Sequence, residues 1–288
     1  MLDVLIYGLL RGATFALVAF GFSLVLGVLN IVNITHGIFI IFGGLITYTL
    51  FSELGWPLPL AVVTASLATG ALAGVLQKAF IERVHSANPL MVLVQTLGLA
   101  IVITSIFEKT WGTSERLINA IIPGYPIIQV GDFIVPTLEV VTFVIALASA
   151  GVLYLAMERT EFGRTVRACR DNPRSAALLG IDISGVYLKT MIVCGLWTGL
   201  AGALLITTQP LAPYMHLHWT IEAFLIVIIG GLGSMPGVLV GGLLYGIFNH
   251  LAYFYYPAFA PALIFSGLVV LLLVRPQGVF GLGAVIRK

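Results

Sequence analysis

Few side chains in this sequence are placed to do chemistry, and most of those stand alone. A phosphate-binding loop needs Gly-Lys followed by Ser or Thr, because the lysine reaches the phosphates. No lysine here follows a glycine. No nucleophile stands at a recognisable spacing from a base, and no metal-ligand cluster is evident. His216, His218 and Glu222 bracket Trp219, but two histidines make no metal site, so solvation at an outer membrane interface is the expected role. Arg11 is the one basic residue well inside an apolar run. A charge at the bilayer centre costs about 2.5–3.5 kcal/mol on insertion scales, so its side chain is expected to snorkel to the outer surface. Glu108 and Glu139 fall at the ends of runs and are expected in solvent.

Two interruptions of the apolar runs say more. The first is Asn30-Ile31-Val32-Asn33-Ile34-Thr35-His36-Gly37, and the second is Gly230-Gly231-Leu232-Gly233-Ser234-Met235-Pro236-Gly237. Freed backbone groups survive at membrane depth only against protein or a water-filled cavity. In transporters, broken helices in the two halves of the chain often surround the solute. On that reading Asn30, Asn33, Thr35, His36, Gly37, Gly231, Gly233 and Ser234 border a translocation path. The alternative is plain: the polar residues cap a turn at the membrane edge, and the glycines are helix-packing contacts.

The hydrophilic stretch 158–189 carries a delimited short helix. Asn172 is a good N-cap, Pro173 fits the first helical position, and Gly180 fits the left-handed residue beyond the end. This predicts a helix from Pro173 to Leu179. Its Ala176, Ala177, Leu178 and Leu179 are apolar although the loop lies outside lipid, which suits docking into a groove on a partner. Arg164, Arg167, Arg170 and Arg174 recur every three or four residues and are expected to share a helical face that meets lipid phosphates.

The elements that must position these residues follow from composition. Only 9% of the 288 residues are charged, against roughly 25% in a soluble domain, and 59% are hydrophobic. Mean hydropathy is +1.08. A soluble protein of this size cannot hide so much apolar surface, so soluble enzymes, disordered chains and nucleic-acid binders are excluded. Glycine, at 32 residues, exceeds the soluble average of about 7%, which fits close helix packing in lipid. Cys169 and Cys194 imply no disulfide framework. Met-Leu-Asp at the N-terminus offers no basic segment ahead of the apolar run, so no cleaved signal peptide is expected.

A bilayer core needs about 20 apolar residues per helix. Runs of that kind fall near 4–29, 34–51, 57–77, 89–107, 137–157 and 187–207, and 223–274 is too long for one crossing. Either 220–274 crosses three times, or 220–249 dips in and returns before a last crossing. Such long runs exclude an outer-membrane barrel. The expected fold is all-α: one polytopic transmembrane domain over 1–288 with eight to nine hydrophobic segments, some broken or re-entrant, and a cytoplasmic coupling helix. Basic residues gather at Lys78 and Arg83, at Arg159 through Lys189, and at Arg275, Arg287 and Lys288. The positive-inside rule puts these in the cytoplasm and the N-terminus outside. The segments 109–136 and 208–219 then lie outside, with Trp111 and Trp219 in an aromatic belt.

The chain resembles the membrane permeases of branched-chain amino acid ABC importers, of the Liv high-affinity type. The resemblance rests on Tyr7-Gly8-Leu9 through Gly27-Val28-Leu29, on Val32-Asn33-Ile34-Thr35-His36-Gly37, and on Glu158-Arg159-Thr160-Glu161-Phe162-Gly163-Arg164-Thr165-Val166-Arg167-Ala168 with Leu179-Gly180-Ile181-Asp182. It continues through Gly230–Gly237 and Arg275-Pro276-Gln277-Gly278, in this order and spacing. It implies a subunit of a bacterial inner-membrane importer that moves a small polar solute such as a branched-chain amino acid. It implies a second, homologous permease subunit in a heterodimer, two cytoplasmic ATPases that bind ATP and Mg, and an extracytoplasmic solute-binding protein, with no cofactor on this chain. It also implies that Arg170, Asp171, Asn172, Pro173, Arg174, Ala176, Ala177, Leu178, Gly180 and Ile181 form the coupling region held by an ATPase. Family members often carry an acidic residue after the His-Gly pair; here it is Ile38. The competing reading is an ion-coupled carrier or a passive channel for a solute such as urea or an amide. Ion coupling usually needs buried ionisable residues, and the runs hold almost none.

Overall fold

The computed structural model describes residues 2–29, 31–84, 89–118, 127–130, 133–275 and 278–280. The first long apolar run is one helix, α1 (Leu2–Leu29). α2 (His36–Tyr48) continues as a wider, π-wound turn, Thr49–Glu53. α3 (Leu58–Leu76) passes through a second such turn, Gln77–Ile81, into the short α4 (Glu82–Val84). α5 is Pro89–Trp111. A hairpin of β1 (Ile127–Val130) and β2 (Phe133–Pro136) leads into α6 (Thr137–Arg159). Next come α7 (Glu161–Asp171), α8 (Pro173–Leu178) and α9 (Ile183–Leu205). α10 (His216–Gly230), α11 (Met235–Tyr255) and α12 (Ala260–Val274) complete the chain. Among the described residues eight helices are long and apolar enough to cross a membrane, so this is a multi-pass membrane protein. The fold is all-α and polytopic as expected; a short antiparallel hairpin, with Ile128 opposite Val135, joins two of its helices.

The stretch after residue 220 holds two helices long enough to cross, Met235–Tyr255 and Pro257–Val274, preceded by the shorter α10. α10 runs parallel to the second half of α1: Trp219 lies against Phe15 and Phe224 against Phe22, and the turn beyond α10 brings Gly233 to Gly27. With 15 residues α10 is about 22 Å long, less than the roughly 30 Å of a hydrocarbon core. α11 returns antiparallel to α1, with Gly242 at Ala16 and Gly246 at Gly12.

Lipid tails are as apolar as leucine, so burying apolar surface gives little reason for helices to associate in a bilayer. Close backbone approach through small residues supplies it instead. α1 is the centre of this packing: 89% of its most apolar window is buried, against 11% for the last candidate span, Pro257–Val274. α9 closes on α3 through Gly199 at Ser66 and Thr69. α6 turns Thr142, Ala146, Ala150, Leu153 and Met157 inward at helical spacing and leaves Val141, Val144, Val152 and Leu155 outward for lipid.

Residues 31–35 show how irregular backbone is held between two spans. The Asn33 carboxamide oxygen accepts from Thr35 N at 3.0 Å and from Thr35 Oγ1 at 2.6 Å. A ring nitrogen of His36 lies 2.9 Å from the carbonyl of Val18, near the middle of α1. Gly37 N donates to Thr220 Oγ1 at 2.9 Å. α2 therefore begins deep in the bundle, beside the start of α10. A side chain at Gly37 would run into the His216 carbonyl.

Three expectations for polar residues change. Glu139 is buried rather than solvated, its Oε1 3.4 Å from Nη2 of Arg11, whose side chain keeps 35% of its surface accessible. Trp219 is interior rather than in an aromatic belt, and Glu222 is buried rather than interfacial. A charge inside apolar surroundings is held where a partner sits: Arg11 and Glu139 meet from α1 and α6, and Glu222 meets His218 one turn earlier on α10.

The close approach at Gly37 generates a prediction. Gly37→Leu must displace backbone rather than a flexible side-chain end, so it should destabilise the protein by more than the about 1–3 kcal/mol of ordinary overpacking. Thermal unfolding in detergent reads this, and a wild-type midpoint would contradict the packing.

Candidate translocation and coupling site

A cavity of about 490 Å³ opens where α1 ends. Its walls are Ser23, Leu24, Gly27 and Val28 of α1, and Tyr154, Met157 and Glu158 at the end of α6. Val166, Arg167 and Arg170 of α7 face them, with Gly233 through Pro236 at the start of α11 and Phe280 beyond α12. The second interruption builds one wall. Gly231 and Gly233 have φ of +99° and +77°, left-handed values that suit glycine, and they turn the chain between α10 and α11. Ser234 then caps α11 by accepting from Gly237 N at 3.1 Å. Arg170 Nη1 donates to the Gly233 carbonyl at 3.4 Å, tying α7 to this turn.

The wall mixes signs. Arg167 donates to the Met157 carbonyl and lies 4.0 Å from Glu158. Arg170 pairs with Asp171 at 3.5 Å. Ser23 Oγ is buried and has no hydrogen-bond partner, while Leu24, Val28, Val166 and Met235 add apolar surface. Two guanidiniums, a carboxylate, hydroxyls and apolar walls suit a small amphipathic solute with a charged head. They do not suit covalent chemistry: Cys169 is buried and its thiol pKa is raised by desolvation, away from the reactive thiolate. Among the described residues no three His, Cys, Asp or Glu side chains gather as a metal site requires.

α7 and α8 project this wall away from the bundle. Thr160 caps α7 by accepting from Gly163 N at 3.2 Å, and Val166 and Cys169 face inward. Asn172 Oδ1 accepts from Ser175 N at 3.0 Å and starts α8, with Pro173 in its first turn. Gly180, at φ +83°, ends it, and Ile181 N returns to the Ala176 carbonyl at 3.1 Å. Leu178 and Leu179 are 89% and 82% exposed, whereas Ala176 is 2% exposed and faces its own chain. Asp171, Arg174, Ala177 and Gly180 are exposed and Ile181 is half-buried.

The two interruptions do not meet at one site. Gly233 and Ser234 line the cavity and Gly231 is buried in the turn. Asn33, Thr35, His36 and Gly37 are buried against α1, α9 and α10 and none lines the cavity; Asn30 lies outside the described residues. The four arginines do not share one helix: α7 stops at Asp171, so Arg174 belongs to α8. Arg164 pairs with Glu161 at 3.3 Å, and Arg167 and Arg170 bond protein carbonyls rather than being left for lipid phosphate. Sequence reasoning missed Ser23 and Tyr154. A lone hydroxyl in an apolar run carries no signal until another element is packed against it.

A family model described as branched-chain amino acid transport system / permease component matches residues 4–274. The high-affinity branched-chain amino acid transport system permease protein LivH of Escherichia coli (strain K12) is 25% identical over 287 residues, 95% of this chain and 93% of that protein. BraD of Pseudomonas aeruginosa, which bears the same description, is 26% identical over 293 residues, covering 97% and 95%. A probable branched-chain amino acid transport permease protein LivH of Methanocaldococcus jannaschii is 28% identical over 288 residues, covering 92% and 88%. No solved structure matches the chain.

The cap of α8 is open to measurement. Asn172→Ala removes the acceptor for Ser175 N and should cost about 1 kcal/mol of local helix stability. Amides 173–178 should then exchange faster with solvent deuterium while the spans keep their protection. Unchanged exchange would show that the cap does not hold the helix.

Proposed function

The chain belongs to the family of permease components of branched-chain amino acid transport systems, and we propose that it forms, with a second membrane subunit, the path for a branched-chain amino acid in an ATP-driven importer. It is a permease subunit of an ABC importer. The energy comes from two separate ATPase chains that bind ATP and Mg. A solute-binding protein delivers the cargo on the opposite face. The bacterial inner membrane is the location, with the N-terminus outside and α7, α8 and the C-terminus in the cytoplasm. The arginines of α7 and α8 support that orientation.

One observation carries the reading. α8 is capped at both ends, rests on the bundle through Ala176, and presents two nearly fully exposed leucines outward on the hydrophilic stretch 158–189. Such a surface fits a groove on a partner protein. An ATPase pair that grips α8 more tightly in one permease conformation than in the other shifts the balance between them by that difference in affinity. The force has a route inward: α8 follows α7, and Arg170 of α7 holds the turn that starts α11 and walls the cavity. A carrier energised by an ion gradient has no use for such a projection.

Replacing both Leu178 and Leu179 with Asp tests this. Burying two unpaired carboxylates in a partner groove costs more than the lost contacts can repay. The ATPases should no longer co-purify and ATP-driven leucine uptake should fall to background, while membrane insertion persists. Retained uptake would refute the coupling role.

A further inference from the structure

A second polar site lies away from the cavity, towards the opposite end of α1. Arg11 sits about 13 Å along α1 from Leu2 and meets Glu139 of α6 through a single contact of 3.4 Å. The pair is incompletely matched. Arg11 Nε and Glu139 Oε2 are buried and have no hydrogen-bond partner, and Glu139 as a residue is only 9% exposed. The Arg11 side chain keeps 35% of its surface accessible. A guanidinium carries five donors and a carboxylate about four acceptor positions, so most of the capacity of both groups is unspent. An ion pair in apolar surroundings repays its desolvation only when its remaining donors and acceptors are satisfied.

Aromatic and polar groups flank this pair on both sides along α1. Tyr7 stacks near His250, with ring centroids 5.8 Å apart, one turn before Arg11. Phe15, one turn after it, meets Trp219 and Tyr245. Trp219 Nε1 is buried without a partner, and Glu222, buried on the next turn of α10, lies 3.3 Å from His218.

We propose that the Arg11–Glu139 pair is a recognition subsite for the zwitterionic head of an α-amino acid as it enters the permease. The proposal rests on the function read above and deepens it. The solute's carboxylate takes the guanidinium donors on the accessible part of Arg11, and its ammonium the edge of the Glu139 carboxylate that keeps 10% of the side chain's surface open. The two protein charges lie side by side, as do the two solute charges, one carbon apart, so the four alternate in sign. The site excludes by the same logic. A simple carboxylate meets Glu139, a simple amine meets Arg11, and a neutral solute leaves both charges unsatisfied.

The test uses the intact complex of permease subunits and ATPases in nanodiscs, without the solute-binding protein, so that this protein's own selectivity is excluded. Radiolabelled leucine is the probe, with 4-methylpentanoate and isopentylamine as competitors that each keep one half of the head group. Leucine should bind, and neither competitor should displace it. Arg11→Met and Glu139→Leu should each weaken binding by at least about tenfold, the scale of one lost charged hydrogen bond. The double variant Arg11→Met/Glu139→Leu keeps the packing without stranding a charge and should unfold no earlier than wild type, yet bind no leucine. A double variant that binds leucine like wild type overturns the proposal and leaves a structural ion pair only. Displacement of leucine by 4-methylpentanoate alone overturns it too. In either case ATP-driven leucine uptake by the wild-type complex in proteoliposomes, with the solute-binding protein restored, still stands; its absence would instead sink the functional reading and this subsite together.

Discussion

Inside a bilayer there is no water to satisfy a peptide group, and the rest of this architecture follows from that constraint. Helices satisfy their own backbones; the places where helices stop do not. Residues 31–35 are such a place, and they survive because protein surrounds them. The side chain of Asn33 serves the next turn, Thr220 reaches across from α10, and the Val18 carbonyl meets the His36 ring. The requirement also explains why α10 starts beside the point where α2 starts. A break in one helix is stabilised by the polar first turn of another, which fixes the relative depth of two elements 180 residues apart.

Small residues perform the complementary task. Where Gly12 and Gly246 bring α1 and α11 into backbone contact, or Gly199 brings α9 to α3, dispersion supplies an attraction that burial from lipid cannot. The helices with most of their surface left over, α5, α6 and α12, keep large apolar side chains outward. The inner part of the bundle is thus tightly determined and its periphery loosely so. The cavity opens at the boundary, where α1 has ended and α6, α7 and α11 stand around its last turn.

Much of this was legible in the sequence for definite physical reasons. Spans are written in runs of apolar residues because length and hydropathy alone set them. α8 was legible to within one residue because Asn172, Pro173 and Gly180 each act locally, through a cap, a fixed φ and a left-handed turn. The hairpin had a signal too: Gly131-Asp132 lies between the β-branched runs Ile127–Val130 and Phe133–Val135, a pattern the all-α expectation passed over. What could not be read was pairing. Arg11 and Glu139 are separated by 128 residues and each alone looks like a charge seeking solvent. Ala176 looked like a docking residue because composition does not say which face of a two-turn helix turns inward.

The size of α8 bears on what it can do. Six residues are too few for a helix to hold itself together in water, since nucleation costs more than so short a run of hydrogen bonds returns. Its order therefore comes from its ends and from Ala176, the one side chain of the helix buried against its own chain. A segment held in this way has no interior of its own in which to place Leu178 and Leu179. The left-handed turn at Gly180 closes the C-terminal end of α8, and the link from Arg170 to Gly233 ties the preceding helix to the turn that starts α11. The 3.4 Å length of that link marks it as weak.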